Sequence, residues 1–210
     1  MLLFSAAIRE MANKPFAESA ERNGGPILEV LRDEFSGSSK VLEIGSGTGQ
    51  HAARFAAELQ HLQWQTSDLD ENHDGINAWV SGARLTNLLP PLSLDVLTAE
   101  LPTMLYDAAY SANTAHIMSV DAVNKMFAII GSSLMEGGAF CLYGPFRHGG
   151  QFNTPSNAAF HEALRSRDSD MGIRHLEALD ELGLDNGLSR VRLYAMPANN
   201  YIAVWHKGKI

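Results

Sequence analysis

The chain has 210 residues, of which 24 are acidic and 16 basic, so its formal net charge at pH 7 is −8. This length suits one domain, 1–210, that buries about 70% of its unfolded surface. The excess of acidic residues and the lack of a basic cluster disfavour nucleic-acid binding. The sequence contains no run of about 18 apolar residues, so a membrane-spanning helix is not expected. Cys141 is the only cysteine, and the histidines are scattered, so neither a disulfide framework nor a metal site is indicated. We expect a cytoplasmic protein.

The predicted elements follow an N-terminal extension, 1–24. Its first residues resemble an export sequence but lack the basic region that precedes such an apolar stretch, so we expect an ordinary terminus. Met1 and Met11 are both acceptable starts. Hydrophobic periodicity, interrupted by glycine, proline and serine, then predicts alternating helices and strands. In chain order these are a helix at 26–35, a strand at 40–44, a helix at 50–61, a strand at 62–67, a helix at 72–84, and strands at 92–96 and 106–112.

The second half continues the alternation. Ser119 is expected to cap a helix that ends at Gly137 and Gly138, and a strand at 139–143 follows. Segment 145–156 is rich in Pro, Gly, Asn and Ser, which predicts a loop that acts as a lid or takes part in a binding site. The last elements are short helices at 157–167 and 175–183 and a hairpin of two strands at 191–196 and 201–205. Together the elements predict an α/β fold with a seven-stranded, mostly parallel sheet, a C-terminal antiparallel hairpin and helices on both faces.

Segment 41–50 joins a buried strand to a glycine turn and then to a helix start. Gly45, Gly47 and Gly49 alternate, which permits positive φ angles and lets a ligand lie against bare backbone. Glu43 interrupts the apolar strand near its end, where a carboxylate needs a partner. A dinucleotide site follows G-x-G-x-x-G, whereas the last position here is a glutamine, which weighs against NAD. An ordinary strand-to-helix turn is the alternative.

The pattern E-x-G-x-G-x-G resembles the glycine loop of class I S-adenosylmethionine-dependent methyltransferases. The resemblance implies a Rossmann-like class I methyltransferase fold, with S-adenosylmethionine as the cofactor and S-adenosylhomocysteine as its product. In that family the loop lies behind the methionine and ribose parts of the cofactor. The resemblance therefore assigns Glu43, Gly45, Ser46 and Gly47 to the cofactor site.

Carboxylates follow the second and third predicted strands. Asp68 lies 19 residues beyond Gly49, close to the separation at which an acidic residue binds the two ribose hydroxyls. Asp70 is the nearby competitor, with helix capping as its alternative role. The resemblance implies that Asp95 accepts the adenine amino group and that Val96 packs on the ring; a surface turn is the alternative for Asp95.

Polar residues also follow the fourth and fifth strands, where this family approaches the methyl group and the acceptor. Asn113, His116 and Tyr143 are the candidate catalytic residues. His116 could act as a base, since an unperturbed histidine is largely neutral at pH 7, but a structural role is the alternative. Arg147, in the 145–156 loop, is expected to bind a carboxylate or phosphate of the acceptor, and a solvated connection is the alternative. The strand-four tetrapeptide of nucleic-acid amino methylases, Asn or Asp followed by Pro-Pro and an aromatic residue, is absent, which counts against adenine and glutamine methylation by that mechanism.

Three segments occur in one order along the chain, at 21–31, 41–51 and 143–146. Together they resemble a methyltransferase-like family of bacteria and animals that has long been carried as a domain of unknown function. Arg22 and Asn23 are expected to cover the cofactor or the acceptor, unless they only lead into the first helix. The resemblance implies methyl transfer to a small-molecule acceptor. A non-catalytic cofactor-binding or interaction module of the same fold is the alternative, and an NAD-dependent oxidoreductase is the third.

Overall fold

The computed structural model describes residues 14–100 and 104–208, so the first 13 residues of the predicted N-terminal extension lie outside the described part. Within it, seven strands form the main sheet and two form a small one. The strands are β1 (Lys40–Glu43), β2 (Gln63–Asp68), β3 (Leu88–Ser93), β4 (Tyr106–Ala112), β5 (Leu134–Gly144), β6 (Phe146–Arg147), β7 (Arg174–His175), β8 (Leu188–Met196) and β9 (Asn200–Lys207). The helices are α1 (Glu18–Glu34), α2 (Gln50–Glu58), α3 (His73–Ala83), α4 (Val120–Ser133), α5 (Pro155–Arg167) and α6 (Leu176–Asp185), with 3₁₀ turns at Asp70–Asn72 and Pro197–Asn199.

The strand order in the main sheet is β3-β2-β1-β4-β5-β9-β8. Strands β1 to β5 are parallel, and β9 and β8 complete the sheet as an antiparallel hairpin. This confirms the predicted α/β fold with its mostly parallel sheet. The order of the strands reverses between β1 and β4, because the chain extends the sheet first on one side of this pair and then on the other. A crevice outside the carboxyl ends of such a pair is where open α/β sheets bind ligands.

Helices cover both faces of the sheet, as predicted. Successive residues of a strand point to opposite faces, so β1 and β4 each contribute to two cores. Leu42 and Ala109 pack in a core with residues of α4 and α6, whereas Val41 and Ala108 pack in a core with residues of α1 and α2. The strands β1 and β4, whose carboxyl ends border the crevice, are therefore held between two separately packed layers.

The third strand begins four residues earlier than predicted. It was expected at 92–96 and is found at Leu88–Ser93, so Pro90 and Pro91 lie inside the strand and not before it. Proline removes a backbone donor, but β3 is the outermost strand and pairs only with β2, where that loss is tolerated. As a result, Asp95 follows the strand by two residues.

The first helix begins earlier than predicted. It was expected to start at Pro26, whereas α1 begins at Glu18 and holds Pro26 in its interior. The N–H of the residue before the helix donates to Gln50 Oε1 at 3.0 Å, so a contact with α2 fixes this early start. Tertiary contacts thus outweigh the local signal of the proline. Arg22 and Asn23 lie inside the helix, and the alternative that they only lead into it is wrong.

Strand β5 is longer than predicted. It was expected at 139–143 and spans Leu134–Gly144, so α4 ends at Ser133 and not at the glycine pair. A β-carbon on Gly138 would lie 2.8 Å from the carbonyl oxygen of Asp107, and the pairing of β5 with β4 changes register nearby. The glycine pair therefore marks an irregularity within the sheet, where the two backbones approach closely.

The predicted loop 145–156 contains regular structure. Strand β6 lies in it and pairs with β7, and α5 begins at Pro155, which leaves 148–154 as the irregular part. The other elements lie close to their predicted bounds, and β4 matches its prediction at Tyr106–Ala112. Across the ranges that the structure describes, no helix combines the length and the apolar character needed to cross a membrane.

Candidate functional site

The glycine loop follows β1 at the point where the strand order reverses. Gly45 and Gly47 have φ angles of 72° and 57°, a left-handed conformation that favours glycine. The N–H groups of Gly45 and Ser46 both donate to the carbonyl oxygen of Ser67, at 3.0 Å each, which ties the loop to β2. A β-carbon on Gly47 would have no heavy atom within 4 Å, so this part of the loop presents bare backbone to open space.

Glu43 is the last residue of β1 and is only 2% exposed. Its Oε2 accepts hydrogen bonds from Ser46 Oγ at 2.9 Å and from Trp64 Nε1 at 3.0 Å, so the partner that the sequence required is present. Burial raises the pKa of Glu43 to about 7, against the lowering effect of these hydrogen bonds, and the charge of Asp68 adds to the rise. A cationic group placed beside this carboxyl would favour its charged form.

Asp68 is the last residue of β2 and is 8% exposed. Its Oδ2 accepts from the Gly47 N–H at 2.7 Å, and its Oδ1 accepts from the Leu69 N–H and from Asn72 Nδ2, both at 2.8 Å. The carboxylate therefore holds the glycine loop in place. Asp70, its competitor in the sequence, has a side chain that is 80% exposed.

A cavity of about 200 Å³ lies between the glycine loop, the end of β4 and the start of α1. It brings together five of the predicted site residues, namely Glu43, Gly45, Ser46, Gly47 and Asn113. The other lining residues are Ala17, Ser19, Ala20, Thr48, His51 and Ala112. The cavity thus sits at the reversal of strand order, where the topology predicts a ligand site.

His51 is a residue of this site that the sequence analysis missed. It is the second residue of α2, is 7% exposed and lines the cavity. Its Nε2 is 2.7 Å from Asn23 Oδ1, and its Nδ1 is 3.4 Å from the Tyr110 hydroxyl. Burial lowers the pKa of His51 to about 4, so the ring is neutral at pH 7. Its place directly after the glycine loop, where side chains of the first helical turn face the crevice, is the signal that could have identified it.

The two residues predicted to contact adenine do not line this cavity. Asp95 follows the end of β3 in a turn, where its Oδ1 accepts from the Leu97 N–H at 2.9 Å. Val96 is 7% exposed and packs in the core that contains α4. Both lie on the loop that leaves the carboxyl end of β3, next to β2 in the sheet.

Asn113 and His116 both follow β4, but they lie in different surroundings. Asn113 lines the cavity with a φ angle of 59°, and its N–H donates to the Tyr143 carbonyl at 2.9 Å. His116 is 7% exposed and its ring packs edge-on against Phe160 at 5.3 Å between centroids. Burial and the neighbouring Arg174 lower the pKa of His116 to about 4. His116 is therefore neutral at pH 7 and packs toward α5.

The remaining candidates fall in three different environments. Tyr143 is 3% exposed and packs in the core that contains residues of α1 and α2, and burial raises the pKa of its phenol. Arg147 lies with its guanidinium carbon 4.5 Å from the Phe152 ring centroid. Its buried Nε has no hydrogen-bond partner among the residues that the structure describes. Arg22 faces solvent on α1, where it pairs with Glu18 at 3.1 Å, so it does not join the cavity.

The family described as "Protein of unknown function (DUF938)" has a profile that matches residues 14–207. The chain belongs to this family. The match confirms the resemblance to a family carried as a domain of unknown function, and it includes α1 as well as the glycine loop.

Solved methyltransferases share the fold at low sequence identity. An O-methyltransferase family 2 protein from Planctomyces limnophilus, in complex with apigenin, is 17% identical over 97% of this chain and 61% of its own, with a TM-score of 0.80. An O-methyltransferase family protein from Burkholderia thailandensis is 13% identical over 89% of this chain and 56% of its own, with a TM-score of 0.78. Human N-acetylserotonin methyltransferase, in complex with SAM, is 14% identical over 91% of this chain and 53% of its own, with a TM-score of 0.74.

These similarities confirm the class I methyltransferase fold. The chain spans only 53 to 61% of the length of the three solved proteins. The likeness therefore concerns the common α/β domain, and it shows the fold without showing the activity.

Proposed function

We propose that this chain is an S-adenosylmethionine-dependent methyltransferase that acts on a small-molecule acceptor. The observation that carries the proposal is the cavity of about 200 Å³ at the reversal of strand order, lined by the bare backbone of the glycine loop and by the buried Glu43. The fold is shared with a human methyltransferase solved with SAM and with a protein named PigF solved with SAH. The net charge of −8 argues against a nucleic-acid acceptor.

The residues present fit this cofactor. Gly47 leaves room for a ligand to lie against the loop, because a β-carbon there would meet no heavy atom within 4 Å, and Gly45, Ser46 and Glu43 line the cavity beside it. Burial raises the pKa of Glu43. A positively charged group of the methionine part of the cofactor, bound beside Glu43, would favour its ionised form. We assign the ribose diol to Asp68, the last residue of β2, and the adenine ring to Asp95 and Val96, which follow β3 beside it in the sheet. The chemistry that S-adenosylmethionine supplies when bound is an activated methyl group.

On the acceptor side, we propose that alignment of the nucleophile contributes more to catalysis than proton transfer does. The candidate residues Asn113, His116 and Tyr143 surround the ends of β4 and β5. His116 is a poor base because burial lowers its pKa to about 4. Holding a nucleophile in line with the methyl group supplies catalysis without a dedicated base. The proposal includes a cytoplasmic location, which the lone, buried Cys141 supports.

Isothermal titration calorimetry with S-adenosylmethionine, S-adenosylhomocysteine and NAD tests the cofactor assignment. We expect both sulfur compounds to bind and S-adenosylhomocysteine to raise the melting temperature, because a ligand that prefers the folded state stabilises it by about 2.7 kcal/mol at a hundredfold excess over Kd. NAD is the control. Binding of NAD without binding of S-adenosylhomocysteine would overturn the proposal in favour of an oxidoreductase.

Activity requires a second measurement, because a non-catalytic module of the same fold would also bind the cofactor. Transfer of a labelled methyl group from S-adenosylmethionine to components of a metabolite extract, separated by mass spectrometry, is the expected result. The contradicting result is a structure with bound S-adenosylhomocysteine in which apolar side chains block the sulfur-facing side even after segment 148–154 has moved.

A further inference from the structure

Residues at the start of α1 form one wall of the cavity. Ala17, Ser19 and Ala20 line it together with the glycine loop. Ala17, the residue before the helix, has no polar side chain that could cap the first turn. The position of this wall segment, residues 17–23, is therefore set by contacts with other elements.

The side chain of Gln50 makes two of these contacts. Gln50 is the first residue of α2 and is 5% exposed. Its Oε1 accepts from the Ala17 N–H at 3.0 Å, and its Nε2 donates to Glu21 Oε2 at 3.1 Å. The Glu21 N–H in turn donates to the Ala17 carbonyl at 3.2 Å, so Ala17 and Glu21 are the two ends of one helical turn. A single amide group thus binds this turn at both ends.

The place of Gln50 in the glycine motif gives these bonds a meaning. Gln50 occupies the position at which a dinucleotide-binding G-x-G-x-x-G loop has its last glycine. A glycine has no side chain and could form neither bond. The same short segment therefore supplies the bare backbone at Gly47 and, three residues later, the side chain that fixes the wall formed by α1.

The helix α1 is weakest directly after the wall segment. Gly24, Gly25 and Pro26 all lie inside it. Glycine is unfavourable in a helix interior, and Pro26 has no N–H to donate to the carbonyl of Arg22, four residues earlier. The rest of the helix, from Ile27 onward, packs in the core that contains residues of α2. The wall segment can therefore move about residues 24–26 while the remainder of α1 stays in place.

Two further links lie at the borders of the wall segment. Asn23 Oδ1 is 2.7 Å from His51 Nε2, next to the glycine pair. Before the helix, the Pro15 carbonyl accepts from Trp79 Nε1 of α3 at 2.8 Å. Both lie outside the turn 17–21, whose residues line the cavity. Gln50 is therefore the side chain placed to hold that turn closed.

We propose that Gln50 is a positioning residue for the cofactor, which holds the wall segment against the methionine part of bound S-adenosylmethionine or S-adenosylhomocysteine and thereby slows its release. The inference rests on the proposed function, since it takes the cavity as the site of the methionine part. Gln50 is not among the residues that line the cavity, so it acts through α1. Release of the cofactor then requires the wall segment to swing outward about residues 24–26.

Surface plasmon resonance with the full chain tests this role by comparing S-adenosylhomocysteine with adenosine. Adenosine lacks the methionine part, so the wall segment should not affect its affinity. Gln50→Leu removes both hydrogen bonds and keeps an apolar side chain of similar length. It should release S-adenosylhomocysteine about tenfold faster and bind adenosine as the wild type does. Gln60→Leu, at an exposed position beyond the other end of α2, is the matched control.

Unchanged release of S-adenosylhomocysteine from Gln50→Leu would overturn the inference. So would an equal loss of affinity for adenosine, since the substitution would then disturb the whole site and not the wall alone. Failure of S-adenosylhomocysteine to bind the wild type would instead contradict the proposed function, so the two failures are distinguishable.

A charge exchange tests the pairing of Gln50 with Glu21 independently. Gln50→Glu keeps an acceptor for the Ala17 N–H but places two carboxylates side by side, so release should be faster than from the wild type. Adding Glu21→Gln supplies an N–H donor again and should restore slow release. Glu21→Gln alone completes the double-mutant cycle. A double variant that releases S-adenosylhomocysteine as fast as Gln50→Glu would contradict the pairing.

Stiffening the helix should have the opposite effect on release. A β-carbon on Gly25 would meet only Arg54 Nη2, at 3.5 Å, which is an ordinary contact. Gly25→Ala should therefore stabilise α1 without a clash and slow the release of S-adenosylhomocysteine by about fivefold. Gly37→Ala, beyond the end of α1, is the control. Equal release rates for Gly25→Ala and the wild type would overturn the movement about residues 24–26.

Discussion

The side-chain methyl group of Thr114 lies 2.5 Å from the position that a β-carbon on Gly45 would occupy. Thr114 is fixed there because its Oγ1 is 2.7 Å from Ser111 Oγ, which in turn donates to the Ile44 carbonyl at 2.6 Å. The segments that leave β1 and β4 are thus locked together across the reversal of strand order. The floor of the candidate site is a packed contact and not only a flexible glycine run.

Gly45→Ala should lower the free energy of unfolding by about 2 to 5 kcal/mol, the sum of a left-handed alanine and an overpacked contact. Thr114→Ser removes the obstructing methyl group and keeps the hydroxyl, so the double variant should recover the packing part of the loss. Gly37→Ala is the control, because a β-carbon there meets no heavy atom within 4 Å. Urea denaturation measures all four proteins. A Gly45→Ala protein as stable as the wild type would show that the loop can move away from Thr114.

Asp68→Ala should weaken S-adenosylhomocysteine binding by about 1.5 to 3 kcal/mol, the range for hydrogen bonds to a charged group. The same change leaves the Gly47 N–H without its acceptor at 2.7 Å, so stability should fall as well. Asp70→Ala is the control, since that side chain is 80% exposed. Calorimetry and thermal melts measure the two effects. Loss of affinity in Asp70→Ala with normal affinity in Asp68→Ala would mean that the ribose was assigned to the wrong carboxylate.

Glu43 should make the ligand-free protein less stable as the pH rises. Burial raises its pKa to about 7 in the folded state, so the folded chain binds the proton more tightly than the unfolded chain does. The protonated form is therefore favoured, and stability should fall by about 3 kcal/mol between pH 4.5 and pH 7. Glu43→Gln should remove this fall, and its gain over the wild type should be larger at pH 8 than at pH 5. An equal difference in unfolding free energy at the two pH values would contradict the prediction.

His116 should have the opposite effect on stability and make the protein less stable as the pH falls. Burial, with a smaller effect of Arg174, lowers its pKa to about 4, so the folded state favours the neutral ring. Its contribution is complete above about pH 6.5 and is lost as the pH falls toward 4, by about 3 kcal/mol. His116→Gln should unfold less readily than the wild type on moving from pH 7 to pH 4.5. His148→Gln, at a histidine that is 79% exposed, should track the wild type in the same acid titration.

Arg147→Met should weaken benzoate binding to the complex with S-adenosylhomocysteine by about 1.5 to 3 kcal/mol and leave S-adenosylhomocysteine affinity unchanged. The reason is the buried Nε, which has no hydrogen-bond partner in the described ranges 14–100 and 104–208. Arg165→Met, at an exposed position of α5, is the control. If both affinities fall together in Arg147→Met, Arg147 supports the fold or the cofactor and not the acceptor.

Local patterns were sufficient for the central elements. The apolar run of β4 matches the strand at Tyr106–Ala112, and the glycine spacing located the loop, because both signals lie within a few neighbouring residues. The strand with Pro90 and Pro91 was misplaced, since only its outer position in the sheet makes the prolines acceptable. Position in the sheet is not a local property.

The residues that line the cavity show the same limit of prediction from local sequence patterns. Glu43, Gly45 and Gly47 were identified from one short motif, whereas Ala17 and Ala20 join them through the packing of α1 on the start of α2. Contacts between residues so far apart in sequence have no periodic signal. The motif therefore predicted the glycine-loop side of the cavity, and the fold was needed to identify the residues of α1 that line its other side.

The two prolines of β3 also affect how molecules meet one another. An outer strand normally exposes unpaired N–H and C=O groups, which a strand of a second molecule can extend. Pro90 and Pro91 are neighbours in β3, and a proline has no backbone N–H, so at least one of the donors that a regular strand would present at this outer edge is missing. At the opposite edge, β8 carries Arg190 and Arg192, each bound to a carboxylate. Both edge strands of the main sheet therefore disfavour pairing with an edge strand of a second molecule. Concentrated solutions of the folded protein should be slow to form fibrils.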